Sequence, residues 1–315
     1  MSGLATDAAL VVRPLTEADL DTADQIFRLA FGTFLGVPDP LLFFEGADYV
    51  RGRWLLDPKS AFAAELDGEL VATNFAANWG SFGFFGPLTV RPDVQDRGIG
   101  KHLMEPIMER FATWGVGHAG LFTFAHSAKH IGLYHRFGFY PRFLTAIMAK
   151  PIAAKETIAV TTHAEVGDSE VAACRELADE IYEGLDVTRE IEAVAARGIG
   201  ETVLLEDAQG LAGFAVVHAG EGSEAARGTA YVKFAAVRPA PDAAKQLDRL
   251  LASCEQVTAD RGLERLDAGV NLAREEAYGV LLARGYRAWL QGVAMQKPNE
   301  PAFNRPGVFV IDDWR

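Results

Sequence analysis

The apolar positions of the first half follow two different spacings. Alternating or continuous apolar runs bounded by turn residues predict strands over Ala9–Arg13, Ser60–Leu66, Glu69–Ala77, Phe84–Val90, Gly120–Ala125 and Phe143–Ala149. Apolar residues three and four positions apart predict helices from Thr16 onward, over Ile99–Trp114 and over Ala128–Phe137. A strand meander followed by a β-α-β unit predicts an α/β fold with a mixed, mostly antiparallel sheet flanked by helices.

The second half repeats this alternation. Its spacing predicts helices over Glu170–Glu183, Thr188–Ala196, Asp242–Arg261 and Arg274–Arg284. Its strands are predicted at Thr202–Glu206, Leu211–His218, Thr229–Val237, Arg265–Val270 and Ala288–Met295. The proline-punctuated tail Asn299–Arg315 ends in an apolar run, Gly307–Ile311, that predicts pairing at a sheet edge. Residues 150–157 are the predicted linker.

One offset relates the two halves. Arg91-Pro92 and Arg238-Pro239 both follow a predicted strand and lie 147 positions apart, as do Gly138 and Gly285. A constant offset over about fifty residues indicates an internal duplication. It predicts two domains of similar fold and a tail, at residues 1–150, 157–297 and 298–315.

Composition narrows the class of protein. The chain has 315 residues, of which 49% are hydrophobic, so two cores can be buried. A formal net charge of −13 argues against a nucleic-acid surface. No apolar run reaches the roughly 18–20 residues that span a bilayer, and the N-terminal residues lack the pattern of a signal peptide. The two cysteines, Cys174 and Cys254, lie in helical patterns, so a cytoplasmic protein without disulfides or a membrane partner is expected.

The stretch from Val90 to Lys101 carries the clearest chemical signal. It joins a predicted strand to a predicted helix through a short turn with the spacing Gln95-x-x-Gly98-x-Gly100. The first turn of a helix presents unpaired N–H groups and the positive end of the dipole, which together bind anions. Glycines let a phosphate approach the backbone closely, and Arg97 and Lys101 add positive charge. The stretch therefore predicts a diphosphate site.

With this turn followed by Leu133–Phe139, residues 9–150 resemble the GNAT superfamily of acetyl-CoA-dependent N-acetyltransferases. The resemblance implies that Leu88, Thr89 and Val90 offer main-chain groups to the pantetheine arm of CoA. Val90 N–H would point at the thioester carbonyl. It also implies that the diphosphate is bound by the turn, whose residues are Gln95, Asp96, Arg97, Gly98, Ile99, Gly100 and Lys101. No metal is expected.

Two residues after the predicted fifth strand, Tyr134 and Ser127, receive roles from the same resemblance, and His126 is a candidate because it directly follows that strand. Tyr134 would protonate the departing thiolate, although its helical spacing is also that of a core residue. Ser127 stands where the family often has an asparagine that touches CoA. His126 is a candidate general base or acceptor contact; His126 and His130 are four positions apart, but no cysteine or carboxylate joins them to favour a metal site.

The second half resembles a degraded copy of the first. The offset places Asp242, Lys245 and Leu247 at the positions of Gln95, Gly98 and Gly100, and Leu281 at that of Tyr134. Those residues remove the close-approach glycines and the phenol. The second copy is therefore expected to be structural, as a packing partner, a wall of the acceptor pocket or a dimer surface.

These observations predict direct acetyl transfer to a primary amine of a small molecule, with protein or peptide amines second. The predicted fourth strand carries no acid, so the base is open among Glu65, Asn74, Ser81, His126 and solvent. The acceptor pocket is expected among Phe31, Phe34, Phe43, Phe44, Trp79, Phe82, Phe84 and Phe85. The alternative is a non-catalytic acyl-CoA sensor or scaffold. A homodimer stays open.

Overall fold

The structure is a computed structural model that describes residues 9–152, 162–163 and 166–315. The predicted linker and the predicted start of the second domain at residue 157 fall largely outside the described residues. The α-helices are α1 (Leu20–Leu35), α2 (Tyr49–Leu56), α3 (Ile99–Trp114), α4 (Ala128–His135), α5 (Asp168–Ile181), α6 (Thr188–Arg197), α7 (Ala243–Asp260) and α8 (Glu275–Ala283). The strands are β1 (Leu10–Pro14), β2 (Ala61–Leu66), β3 (Glu69–Trp79), β4 (Phe82–Phe85), β5 (Thr89–Val90), β6 (His118–Thr123), β7 (Tyr140–Pro151), β8 (Thr162–His163), β9 (Gly200–Asp207), β10 (Gly210–Ala219), β11 (Thr229–Val237), β12 (Arg265–Asn271), β13 (Arg287–Lys297) and β14 (Val310–Ile311).

The chain groups into two compact units. Unit 1 holds the described residues up to Glu45 together with Tyr49–Ala77 and Phe85–Trp114, and unit 2 holds Gly46–Asp48, Asn78–Phe84 and the described residues from Gly115 onward. These bounds differ from those of the predicted duplicated domains, which stay a prediction. In the described part of the chain, no helix combines the length and apolarity needed to cross a bilayer.

In unit 1, an antiparallel sheet places β2 between β1 and β3, and β5 pairs with β3. The β2–β3 turn is made by Asp67 and Gly68, with φ of 54° and 84°, the left-handed values that a two-residue hairpin turn requires. Thr16 and Asp19 form a capping box before α1, where a helix is predicted from Thr16 onward. Helix α3 packs on β2, and the Asn74 amide donates to Leu103 O in α3 at 3.3 Å. The sheet and α3 thus hold both ends of the glycine turn.

In unit 2, the strand order is β4-β6-β13-β7-β12-β11-β10-β9-β8. Two pairs, β4·β6 and β11·β12, are parallel, and the others along this order are antiparallel. The sheet is mixed, as predicted. Its second half is covered by an apolar cluster that includes Leu247, Leu250 and Leu281.

The register confirms the internal repeat. Phe82 pairs with His118 in β4·β6, and Thr229 pairs with Arg265 in β11·β12. Both partners of the second pair lie 147 positions after their counterparts in the first, the offset found in the sequence. The two halves therefore share the parallel pair at the centre of a β-α-β unit.

The last strand of each half lies inside the sheet of the other half. Strand β13 lies between β6 and β7, and β7 lies between β13 and β12. The exchange is symmetric, because Ala288 pairs with Met148 while Met295 pairs with Pro141, which are the same two positions with the halves interchanged. Sequence periodicity predicts both strands but carries no information about which sheet receives them.

The structure differs from the sequence pattern at three places. The strand predicted over Phe84–Val90 is broken into β4 and β5, since Gly86 has φ of 137° and its N–H donates to Phe75 O at 2.8 Å. The aromatic segment Phe31–Phe44, which glycine and proline interrupt in the sequence, begins inside α1, which continues to Leu35. The tail does not pair at a sheet edge, because β14 pairs with the interior strand β11.

Helix α2 is not predicted by the apolar spacing of the sequence. Its buried residues include Arg53, only 6% exposed, which reads in sequence as a surface residue. The Arg53 guanidinium donates to Gly86 O and so supports the break between β4 and β5. The charged side chain is buried because it pairs with a backbone carbonyl, a pairing that apolar periodicity does not reveal.

Candidate active site

The glycine turn of unit 1 has the backbone of an anion site. A single 3-10 turn over Pro92–Val94 leads into Asp96 and Gly98, whose φ values are 65° and 80°, and α3 begins at Ile99. Gly98 needs this left-handed conformation, which a side chain would strain. Val94 and Ile99 are buried and fix the two ends of the turn, whereas Gln95 to Gly98 are exposed. The two buried residues anchor the turn, and the residues between them are open to solvent.

Four successive amides of this turn have no acceptor. Within the described residues, the N–H groups of Arg97, Gly98, Ile99 and Gly100 donate to no other residue, and the first bond belongs to Lys101 N, which donates to Gly98 O at 3.1 Å. An added Cβ at Gly98 would meet no atom within 4 Å. Exposed unpaired amides at the start of a 16-residue helix fit the diphosphate of CoA.

The strand before the turn presents a free set of main-chain groups. Arg91 N donates to Val71 O in β3 at 2.8 Å. Because alternate residues of an antiparallel strand face opposite sides, the main-chain groups of Leu88 and Val90 face away from β3, whereas those of Thr89 face it. The Gln95 amide donates to Val90 O at 3.1 Å, so the Val90 N–H is the group left for a ligand. The buried Thr89 hydroxyl is bound to that of Thr73 at 2.9 Å.

Charges near the turn are divided. Arg97 and Lys101 are exposed cations, as an anion site requires, while Asp96 is an exposed acid between them. Asp96 therefore belongs to the site through its left-handed backbone. Arg91 is paired with Asp93 and Glu69, so it is committed to bracing the turn.

Tyr134 lies in α4 of unit 2 and is buried. Burial raises the pKa of its phenol well above the ordinary value, and a hydrogen bond with the Thr123 side chain opposes only part of that rise. The phenol is therefore fully protonated at neutral pH. A proton donor to a thiolate needs this state.

The residues that precede Tyr134 have separate surroundings. Ser127 is the N-cap of α4, and its hydroxyl accepts from His130 N at 3.4 Å. His126 is exposed beside the Phe124 ring, at 6.0 Å between centroids. Burial lowers the pKa of the His130 imidazole, helped by the charges of Lys129 and His126. Among described residues, no group of three or more His, Cys, Asp or Glu side chains is placed to hold a metal ion.

The other candidate bases have structural partners. Glu65 forms an ion pair with Arg13 at 2.5 Å. Asn74 is fully buried, with its oxygen accepting from Phe75 N and its amide bound to α3. The Ser81 hydroxyl donates to Glu183 O at 2.5 Å. Glu65 and Ser81 are half-buried, so His126 is the exposed one of these four side chains.

The aromatic residues predicted to line an acceptor pocket separate into two sets. Phe31 and Phe43 stack in unit 1, with ring centroids 5.6 Å apart, and Phe44 packs edge-on against Phe43; all three are half-buried. Trp79, Phe82 and Phe84 are buried in unit 2 and belong to its core. Phe85 is buried in unit 1 against α3, and Phe34 is exposed.

The second half lacks the equivalents of these site features. Helix α7 begins at Ala243, so Lys245 and Leu247 lie within it, and Lys245 N donates to Asp242 O at 2.9 Å. Leu247 and Leu281 are completely buried in the apolar cluster. Of the residues that replace the glycines and the phenol, Lys245 therefore lies on a helix surface, and Leu247 and Leu281 lie in the core.

Comparisons with known proteins agree with this geometry. Residues 24–139 match the model of the acetyltransferase (GNAT) family. No curated protein sequence matches the chain significantly. A candidate acetyltransferase from Pyrococcus horikoshii has a similar structure, with a TM-score of 0.70 and 17% identity over 97% of this chain and 95% of that chain.

Two further structures resemble the whole chain. A GCN5-related N-acetyltransferase from Sphaerobacter thermophilus is 18% identical over 91% of this chain and 95% of its own, with a TM-score of 0.58. A tandem GNAT protein from the clavulanic acid biosynthesis pathway is 14% identical over 91% of this chain and 98% of its own, with a TM-score of 0.59. At these identities the likeness establishes the fold.

Proposed function

We propose that this chain, which carries a domain of the acetyltransferase (GNAT) family at residues 24–139, transfers an acetyl group from acetyl-CoA to a primary amine of a small molecule. The observation that carries the proposal is the run of four unpaired amides from Arg97 to Gly100 at the start of α3. An anion site of this kind within a GNAT-family domain supports CoA as the ligand.

Main-chain groups would do most of the binding. The amides of the turn would hold the diphosphate, with Arg97 and Lys101 adding charge. The edge formed by Leu88 and Val90 would pair with the pantetheine arm. The Val90 N–H would stabilise the oxygen of the thioester carbonyl, a contribution commonly worth about 3 kcal/mol per donor.

Side chains would carry out the proton transfers. As the new C–N bond forms and the C–S bond breaks, the protonated Tyr134 phenol would supply the proton that the departing thiolate takes up. We assign the amine proton to the exposed His126 imidazole, since Asn74 is buried and Glu65 and Ser81 are half-buried. Acetyl-CoA supplies the activated carbonyl and the leaving thiol, and no acyl-enzyme is required.

A steady-state assay tests the activity. A panel of small primary amines with acetyl-CoA should release CoA thiol, which a disulfide reagent detects. Both cysteines are buried, and burial raises the pKa of the Cys174 thiol to about 12, so the folded protein adds little background. Turnover of peptide amines in preference to small amines would contradict the assignment of the acceptor.

A non-catalytic acyl-CoA sensor is the second candidate. It is favoured by one observation: β4 and β5, Phe82–Phe85 and Thr89–Val90, contain no acid that could deprotonate an amine. Tight CoA binding with no turnover of any amine would support this function and exclude the transferase.

A further inference from the structure

The C-terminal segment pairs with the part of the interior strand β11 that β12 does not pair with. Strand β11 pairs with β12 only from Thr229 to Val232. Beyond that point β14 takes over, with Ala235 opposite Ile311 and Val237 N donating to Phe309 O at 3.1 Å. Strand β14 also contacts β12. The segment thus fills the opening where the two parallel strands part.

A buried arginine binds the backbone of this segment. The Arg274 guanidinium donates to Val310 O at 2.6 Å and to Asp312 O at 3.2 Å, and it pairs with the Asp312 carboxylate at 2.8 Å. Both side chains are 1% exposed. A guanidinium that reads two carbonyls and a carboxylate recognises an extended peptide with an acid at one position.

Two further residues of the sheet are matched to the segment. The Tyr231 hydroxyl donates to the Asp313 carboxylate at 2.9 Å. Gly269 in β12 leaves the space that this carboxylate occupies, because an added Cβ would lie 2.0 Å from Asp313 Oδ2. The Tyr231 hydroxyl and the space beside Gly269 therefore both match the Asp313 side chain of this segment.

The repeat offset identifies what this groove corresponds to. Ala235 and Val237 are the equivalents of Leu88 and Val90, the edge that the first half presents away from β3. Arg274 is the equivalent of Ser127, and each is the N-cap of its helix. The second half therefore uses the same edge and the same cap position to hold a peptide.

We propose that the groove between β11 and β12 is a peptide-binding site for an extended segment with four apolar residues followed by two acids, and that Val308–Asp313 is its ligand in this chain. Affinity comes from strand pairing, and selectivity comes from Arg274, Tyr231 and the space at Gly269. This site stands whether or not the chain is a transferase.

Hydrogen exchange of the full chain tests the proposal. In the wild type, the amides of residues 235, 237 and 311 should exchange as slowly as those of β9 and β10. Gly269→Ala should speed exchange at these amides at least tenfold and leave β9 and β10 unchanged. Gly279→Ala is the matched control, since a Cβ there meets nothing within 4 Å. Arg274→Lys keeps the positive charge but loses the several N–H donors of the guanidinium. It should raise the exchange rate at these amides less than Gly269→Ala does.

Addition of the peptide in trans separates a binding site from simple packing. Ile311→Asp should release the segment, and a synthetic peptide with the sequence of residues 307–315 should restore slow exchange at 235 and 237. A peptide of the reversed sequence should not. Fast exchange of the segment in the wild type, or failure of the peptide to restore protection, would overturn the proposal.

Discussion

The turn before α3 and the start of α7 occupy equivalent positions in the two halves, yet among the described residues only the first has four successive amides without an acceptor. In the first, Gly98 takes φ of 80° and the helix starts at Ile99. In the second, the helix starts at Ala243, three residues before the equivalent of Ile99. Lys245 N then bonds to Asp242 O. A left-handed glycine that delays the start of the helix therefore leaves the amides of the proposed anion site unpaired, and the second half lacks that glycine.

The strands that precede α3 and α7 also differ in how their main-chain edges are paired. The main-chain edge at Leu88 and Val90 faces away from β3, whereas the equivalent edge at Ala235 and Val237 is covered by β14. In the first half this edge is open to the proposed ligand. In the second half the equivalent edge pairs with β14 of the same chain. The account predicts one CoA site per chain.

The strongest way to break this comparison is to place the same side chain at both equivalent positions. Gly98→Trp should weaken CoA binding at least a hundredfold, because the indole covers the amides, while the left-handed backbone costs only about 1–2 kcal/mol of stability. Lys245→Trp, at the exposed equivalent position, should leave CoA affinity and a stoichiometry of one unchanged. Calorimetric titration measures both; equal effects of the two variants would contradict the account.

Tyr134 tests the chemical difference between the halves, since its equivalent, Leu281, is a core residue. Tyr134→Phe should lower kcat at least tenfold with CoA affinity unchanged, because the phenol proton is lost but the ring still packs. Burial raises the pKa of this phenol, so the wild-type rate should show no loss from Tyr134 ionisation up to about pH 10. Tyr140→Phe on an exposed tyrosine is the control. An unchanged kcat in Tyr134→Phe would remove Tyr134 from the reaction.

Ser127 should give the smallest effect. Its hydroxyl caps α4, so Ser127→Ala should cost about 0.5–1 kcal/mol of stability, and Ser127→Thr should restore most of it. The KM for acetyl-CoA should change by no more than about threefold, which is under 1 kcal/mol. Thermal unfolding and steady-state kinetics provide the two readings. A tenfold rise in KM would show that Ser127 also binds CoA.

Local patterns predicted much of this molecule. The bounds of α3 and β11 are those that the apolar spacing gives, and the glycine spacing marked the turn whose amides are unpaired. The offset of the repeat proved to be the offset of the parallel pairs. These features depend on neighbours along the chain, which is the information that periodicity carries.

Features set by distant residues were not predictable. The exchange of β7 and β13 leaves both strands with the same apolar pattern that they would have in their own sheets. Helix α2 was missed because the burial of Arg53 depends on a carbonyl 33 positions away. The pairing of β14 with β11 depends on Arg274, a cation that no local pattern connects to the tail.

The central claim is that the amides from Arg97 to Gly100 bind a diphosphate and that their equivalents, in the first turn of α7, do not. A crystal structure of the full chain with CoA tests it most directly. The account predicts one CoA molecule, with diphosphate oxygens accepting from the N–H groups at the start of α3. A diphosphate bound elsewhere, or a second one at the start of α7, would contradict it.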